Sequence, residues 1–159
     1  MRESVLRGFF SGEVPIDGLQ NDLRGSVTQP SSIESSVEII DMPESFLVSR
    51  QHVMILCDAA LSKMLTSEDL TTVAFGLMAS DHFEWDDEII SEVLSDWSCP
   101  EVNFPLDEST LTMHRSWLAG NTHPPLRMGV ASSNGRLISV RKKVSRKPDS
   151  SAAPDSPAE

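Results

Sequence analysis

Apolar residues recur along the first 120 positions at the three- and four-residue spacing that places them on one side of a helix. The pattern predicts two short helices before residue 26 and four longer ones between residues 49 and 120. The residues expected to face inward are Val5, Leu6, Phe9, Phe10, Leu19, Leu23, Val53, Leu56, Cys57, Ala60, Leu61, Met64, Leu70, Val73, Ala74, Leu77, Met78, Ile89, Val93, Leu94, Leu111, Trp117 and Leu118.

Capping residues indicate where several of these helices begin and end. Thr66 followed by Asp69 is a capping-box pattern, in which each side chain satisfies a backbone amide of the first helical turn. The third long helix is expected over about residues 85–97, with an acidic first turn and a stop before Pro100. Asp107 is the expected N-cap of the last helix.

The predicted helices group into two helix–turn–helix hairpins and a closing pair. A shift of 51 residues superposes the pattern of the first hairpin on that of the second, with Leu6 on Cys57 and Phe10 on Leu61. Two related hairpins would explain this correspondence, and so would two unrelated amphipathic hairpins. Either way, the predicted fold is mainly α, a small bundle of about six helices with a disordered C-terminal tail.

Residues 1–125 are expected to form one helical domain. A linker rich in Ser, Thr and Pro interrupts it at about residues 26–36, and one short strand or extended arm follows at 37–42. That strand has no evident partner, because no second strand pattern lies beside it in the sequence.

Order is expected to decrease after the helical domain. Residues 126–140 are predicted to be a weakly ordered extension, with Asn134-Gly135 as a hairpin turn. Residues 141–159 are predicted to be disordered, because basic residues give way there to Ser, Ala, Pro and Asp with little to bury.

The chain is acidic, and its charge is unevenly distributed. Residues 1–135 contain 7 Lys/Arg and 21 Asp/Glu, a difference of −14, whereas residues 136–159 contain 6 and 3, a difference of +3. An acidic body repels nucleic acid and anionic lipid and attracts a basic protein, although the charge can also serve solubility alone. The basic segment 141–147 lacks the aromatic residues that stack on bases, so a nucleic-acid partner is not expected.

The two cysteines, Cys57 and Cys99, stand in no CxxC pair. Two cysteines in a chain of 159 residues do not make a disulfide scaffold. The first residues lack an apolar signal core, and no apolar run approaches the roughly 20 residues that span a bilayer. A cytoplasmic protein without a membrane segment is therefore expected.

The densest cluster of polar chemistry is the stretch from residue 81 to residue 88. Its candidate interaction residues are Asp81, His82, Glu84, Trp85, Asp86 and Asp87. Carboxylates with a histidine suit a metal ion, so a metal-dependent enzyme centred on Asp81, His82, Glu84 and Asp86 is one hypothesis. The same residues also suit a loop that leads into a helix with an acidic first turn.

No recognised catalytic or cofactor motif accompanies this stretch. The sequence contains no EF-hand loop, HExxH pair, GxSxG elbow or phosphate-binding glycine loop. No cofactor is therefore expected. The first hypothesis is a protein-binding module rather than an enzyme, comparable in size, charge and helicity to immunity proteins or antitoxins that bind a basic partner.

Trp97 opens the connector DWSCPEVNFPL, which two prolines make rigid. Such a connector either closes the core or presents a surface. In the first case Trp97 is buried, and in the second it is an exposed contact residue for a partner.

Three sequence segments are similar to those of a known family, and the similarity extends over most of residues 1–120. The segments are LCDAAL, GLMASDHFEWDD and DWSCPEVNFPL. They resemble a family of small bacterial helical proteins of uncharacterised activity. The resemblance implies a helical fold and no catalytic residues. The sequence departs from it at Lys63-Met64, where a Gly-Glu pair is expected, which puts the hairpin turn there in doubt. The matching residues are Leu56, Asp58, Ser80, Asp81, Trp85, Asp96, Trp97, Pro100, Glu101, Asn103, Pro105 and Leu106.

Overall fold

A computed structural model of the chain describes residues 1–28, 34–125 and 137–143. The prediction of a mainly helical fold is confirmed, with six helices in these residues. The helices are α1 (Glu3–Phe10), α2 (Ile16–Ser26), α3 (Arg50–Leu61), α4 (Ser67–Ala79), α5 (Glu88–Ser98) and α6 (Glu108–Leu118).

The predicted caps of α4 and α6 are present. The Thr66 hydroxyl accepts a hydrogen bond from the Asp69 amide at 3.1 Å, and the Asp69 carboxylate accepts one from the Thr66 amide at 3.0 Å. Asp107 accepts from the Thr110 amide at 2.8 Å. These contacts satisfy amides that have no partner within the first turn of a helix.

Helices α1 and α2 form one hairpin, and α3 and α4 form the other. Helix α5 packs mainly against α4 and helix α6 against α3, so the last two helices close the bundle. In the turn between α3 and α4, Lys63 has a φ of 60°, a left-handed conformation that favours glycine. This is the position at which the resemblance expects Gly.

The apolar faces meet in one core. Met64 and Met78, which the sequence pattern places inward, are exposed, and Ile90 rather than Ile89 is fully buried. The residues with the least exposure include Leu6, Leu19, Leu23, Leu56, Leu70, Leu77, Ile90, Leu94 and Trp97. No helix among the described residues is long and apolar enough to cross a bilayer.

In the part of the chain that the structure describes, five short strands flank the helices. They are β1 (Val27–Thr28), β2 (Glu34–Ile40), β3 (Phe46–Leu47), β4 (Phe83–Glu84) and β5 (Leu137–Lys143). Strand β2 lies between β1, its antiparallel neighbour, and β5, its parallel neighbour. Strands β3 and β4 form a separate parallel pair.

The strands differ from three predictions made from the sequence, those for the linker, for the isolated strand and for the start of the tail. Both described ends of the predicted linker, 27–28 and 34–36, belong to strands, and the predicted strand at 37–42 has partners on both sides. Residues 141–143, which the composition assigns to the tail, lie in β5. The predicted turn at Asn134-Gly135 and the predicted disorder of residues 144–159 lie outside the described residues.

Candidate functional site

The stretch from 81 to 88 connects the end of α4 to the start of α5. After a bend at residues 81–82, Phe83 and Glu84 form β4, and the chain then runs extended to Asp87. Helix α5 therefore begins at Glu88 and not at Trp85, because β4 pairs with β3 and Asp87 supplies the N-cap. We call residues 81–88 the acidic loop.

Asp87 has a structural role in this loop. Its carboxylate accepts a hydrogen bond from the Ile89 amide at 2.9 Å and pairs with the Arg50 guanidinium, whose Nε lies 2.5 Å from Oδ2. The hydrogen bonds from Arg50 hold the pKa of Asp87 below its ordinary value of 3.8. Asp87 is thus occupied in fixing the start of α5 to the start of α3.

The other carboxylates of the acidic loop face solvent. Asp81, Glu84, Asp86 and Glu88 are all exposed. Glu84 pairs in register with Leu47, the last residue of β3, whose side chain is 67% exposed. Residues in register on neighbouring strands project to the same face, so an exposed apolar side chain lies beside an exposed carboxylate.

Trp85 is half-buried against the core, and its indole Nε1 donates to the Ser91 hydroxyl at 2.8 Å. The ring therefore has a fixed orientation at the base of the acidic loop. Its partial exposure leaves part of the ring available for contact with a partner.

Trp97 is fully buried, so the alternative in which it is an exposed contact residue is wrong. Its indole Nε1 donates to His114 Nδ1 at 3.0 Å, and His114 Nε2 lies 3.1 Å from Asp96 Oδ2. Because Nδ1 accepts from the indole, the ring proton lies on Nε2 and is donated to Asp96. Asp96 and His114 are also fully buried, and the three side chains form a polar connection between α5 and α6.

His82 lies close to two carboxylates outside the acidic loop, those of Glu3 and Asp41. Among the described residues, these three are the group whose ligand atoms lie close enough to hold a metal ion, all within 4.8 Å of one another. Asp81, Glu84 and Asp86 are not part of that group, so the structure does not bring together the metal set that the sequence suggests.

Sequence reasoning did not identify Glu3 as a site residue, although the sequence carries a signal for it. It lies three residues before Leu6 and seven before Phe10, on the same buried face of α1. A carboxylate on an apolar stripe has a specific partner or function, because burying an unpaired charge is very costly. Asp41 follows β2 and carries no comparable signal.

The cysteines are free and differ in environment. Cys57 lies in the core, where its thiol donates to the Leu111 carbonyl at 3.3 Å and burial raises its pKa to about 12. Such a thiol is not a nucleophile at neutral pH. Cys99 is exposed at the C-terminal end of α5.

Three surface clefts, of about 260, 340 and 350 Å³, lie away from the acidic loop. The largest is bordered by α2, β1, β2, α4 and residues 98–101, and the other two lie beside α2 with β2 and between the starts of α4 and α6. No residue of the acidic loop lines any of the three.

The sequence matches no protein-family model, and comparisons with curated proteins and with solved structures found no match either.

Proposed function

We propose that this chain is a protein-binding module that recognises a basic partner through the acidic loop and Leu47. The observation that carries the proposal is the exposed Leu47 beside Glu84, next to the exposed carboxylates of Asp86 and Glu88. In such a surface the apolar side chain loses its water on binding, and the surrounding charges attract and orient a partner of opposite charge.

The charge of the helical domain supports a basic partner. Residues 1–28 and 34–125 contain 21 Asp/Glu and 6 Lys/Arg. Four of those six basic residues already pair with carboxylates of the same chain, namely Arg2, Arg7, Arg50 and Arg115. The surface therefore keeps a large excess of negative charge, which accelerates encounter with a cationic protein.

The position of the acidic loop supports a fixed binding surface. Its two ends are anchored, one by β4 on β3 and the other by Asp87 on Arg50. A surface held in this way loses little conformational entropy when it binds. The comparison with immunity proteins and antitoxins is an analogy of size, charge and helicity, and not of a site. Two free thiols in the chain support the expectation of a cytoplasmic location.

The test compares two variants with equal charge. The site variant carries Glu84→Gln, Asp86→Asn and Glu88→Gln, and the control carries Glu13→Gln, Asp17→Asn and Glu101→Gln, all at exposed positions. Each loses three negative charges, and each changes one acidic residue in the first turn of a helix. Immobilised full-length chains are exposed to lysate at low salt, and bound proteins are identified and then measured one by one as purified proteins.

We expect a basic protein that binds the wild type and the control variant and loses at least about tenfold in affinity for the site variant, a change of about 1.4 kcal/mol. Leu47→Ser should weaken the same complex without changing its salt dependence, since it removes an apolar contact and no charge. Equal loss in both triple variants would show that net charge alone attracts partners. That result, or the absence of any protein that distinguishes the two variants, would refute the proposed surface.

A further inference from the structure

We propose that Glu3, Asp41 and His82 form a binding site for a divalent transition-metal ion of the zinc type. The three residues come from separate parts of the chain: the first residue of α1, the segment after β2, and the bend that leads into β4. Their ligand atoms nevertheless lie within 4.8 Å of one another. Two donors of a tetrahedral zinc ion, each about 2.1 Å from the metal, are about 3.4 Å apart, so side-chain rotations that bring the more distant donors closer complete the geometry.

Two atoms of this group are buried and unused. Among the described residues, neither Asp41 Oδ1 nor His82 Nδ1 has a hydrogen-bond partner, and both are inaccessible to water. His82 Nδ1 lies 3.1 Å from Glu3 Oε2, but the two are not aligned for a hydrogen bond. Buried polar atoms are nearly always paired, so two such atoms directed into one cluster indicate a missing partner.

A divalent metal ion satisfies both of these buried atoms at once. A divalent cation contacts all three residues and offsets the charge of both carboxylates. This matters most for Glu3, because its side chain is fully buried.

Neighbouring groups hold Glu3 in place. The Ser80 hydroxyl donates to Glu3 Oε1 at 2.5 Å, and the Met42 amide donates to Oε2 at 2.8 Å. The Ser80 oxygen in turn accepts from the amides of His82 and Phe83 at 3.0 and 3.2 Å. One serine therefore positions both Glu3 and the backbone that carries His82, as residues around metal ligands commonly do.

The donor set selects the class of metal. One imidazole nitrogen with two carboxylates suits zinc and similar transition ions, whereas Mg²⁺ and Ca²⁺ prefer oxygen donors alone. Three protein ligands leave a coordination position for water or another small ligand.

The test uses the full-length chain, freed of metal by a chelator and titrated with ZnCl₂ by calorimetry at pH 7. We expect one equivalent of Zn²⁺ to bind and to raise the melting temperature. Asp41→Asn and His82→Gln should each weaken binding at least about 100-fold, because even the loss of an outer partner of a ligand costs about 10–100-fold. Glu84→Gln, a change in the same acidic loop outside the group, and Cys99→Ser should leave binding unchanged.

Zinc-loaded wild-type protein gives a second measurement that requires no variant. Its X-ray absorption spectrum should show one imidazole and oxygen donors without sulfur. Absence of binding, equal binding by Asp41→Asn, equal affinity for Mg²⁺, or a spectrum with sulfur or several imidazoles would overturn the site. Neither Asp41 nor His82 is changed in the test of the acidic loop, so the two proposals can fail separately.

Discussion

Two histidine–carboxylate pairs lie in the described ranges of the chain, and they differ in whether the buried nitrogen and oxygen atoms have hydrogen-bond partners. In the first, His114 and Asp96 are fully buried, and Trp97 occupies the second ring nitrogen. In the second, Glu3 is fully buried, but His82 is partly exposed and its Nδ1 lacks a hydrogen bond among the described residues. Asp41 adds a further unpaired oxygen beside it.

This difference distinguishes a polar group that stabilises the fold, His114 with Asp96, from one that is proposed to bind a ligand, His82 with Glu3 and Asp41. Each nitrogen of the His114 ring has a protein partner, so this chain of contacts joins α5 to α6 and offers nothing to a ligand. The Glu3–Asp41–His82 group has the same residue types but keeps donor atoms without partners. Residue type alone therefore does not distinguish the two groups, whereas their unpaired buried atoms do.

The largest effect on stability is expected at the His114–Asp96 pair, in which both ring nitrogens have partners. His114→Ala leaves the Trp97 indole without its partner, removes one contact of the Asp96 carboxylate and opens a cavity. We expect a loss of about 3–5 kcal/mol in the free energy of unfolding, measured with urea. His123→Ala, at an exposed position, is the control and should change stability by less than about 0.5 kcal/mol.

The Cys57 thiol offers an independent measurement of the same effect. It lies between α3 and α6, near the helix that carries His114, and in the wild type it should react with iodoacetamide far more slowly than Cys99. His114→Ala should accelerate the reaction of Cys57 and leave that of Cys99 unchanged. A stable variant with an unreactive Cys57 would show that the buried chain contributes little.

A smaller effect is expected within the acidic loop, where Asp87 is paired and Asp86 is exposed. Asp87→Ala removes an N-cap and a half-exposed ion pair, so we expect a loss of about 1–2 kcal/mol. Asp86→Ala is the matched control and should cost less than about 0.5 kcal/mol. Equal losses would show that the contacts of Asp87 do not stabilise α5.

The contribution of Asp87 should also depend on pH. The folded-state pKa of Asp87 is lowered from 3.8, so its stabilising effect is complete above that pH and is lost as the pH falls through the lower, folded-state value. Denaturant unfolding of wild type and Asp87→Ala between pH 2 and pH 6 should therefore show the two stabilities converging at the acidic end. Curves that stay parallel down to the lowest pH would contradict this.

The smallest effect on stability is expected in the Glu3–Asp41–His82 group, in which two buried atoms lack hydrogen-bond partners among the described residues. In metal-free protein, Asp41→Asn removes a charge that has no hydrogen bond at Oδ1 and lies close to Glu3. We expect stability to be unchanged or to rise by up to about 1 kcal/mol, as is common where a residue serves binding at the cost of stability. A loss of more than about 2 kcal/mol would mean that Asp41 is structural.

Local signals predicted most of the helical fold. The capping box at Thr66 and the N-cap at Asp107 depend on residues three positions apart, and both are present. The burial of Trp97 could not be predicted in the same way, because a rigid connector can either close the core or present a surface. The strands were less predictable, because β2 pairs with β5, about 100 residues later, and no local pattern specifies such a partner.

The composition identified the acidic loop, but it did not show which of its carboxylates are paired and which face solvent. Nothing in the sequence distinguishes Asp87, which pairs with Arg50, from Asp86, which faces solvent. The partners of His82 come from the first helix and from the end of β2, so only the tertiary fold brings them together. The buried position of Glu3 on the apolar face of α1 was the one local indication.

The most direct test records the imidazole nitrogen resonances of uniformly ¹⁵N-labelled, metal-free protein during titration with Zn²⁺. We expect the Nδ1 resonance of His82 to shift and to saturate at one equivalent, while both nitrogens of His114 keep their positions. A His82 ring that does not respond, or His82 and His114 rings that respond alike, would contradict the distinction between a binding group and a structural one.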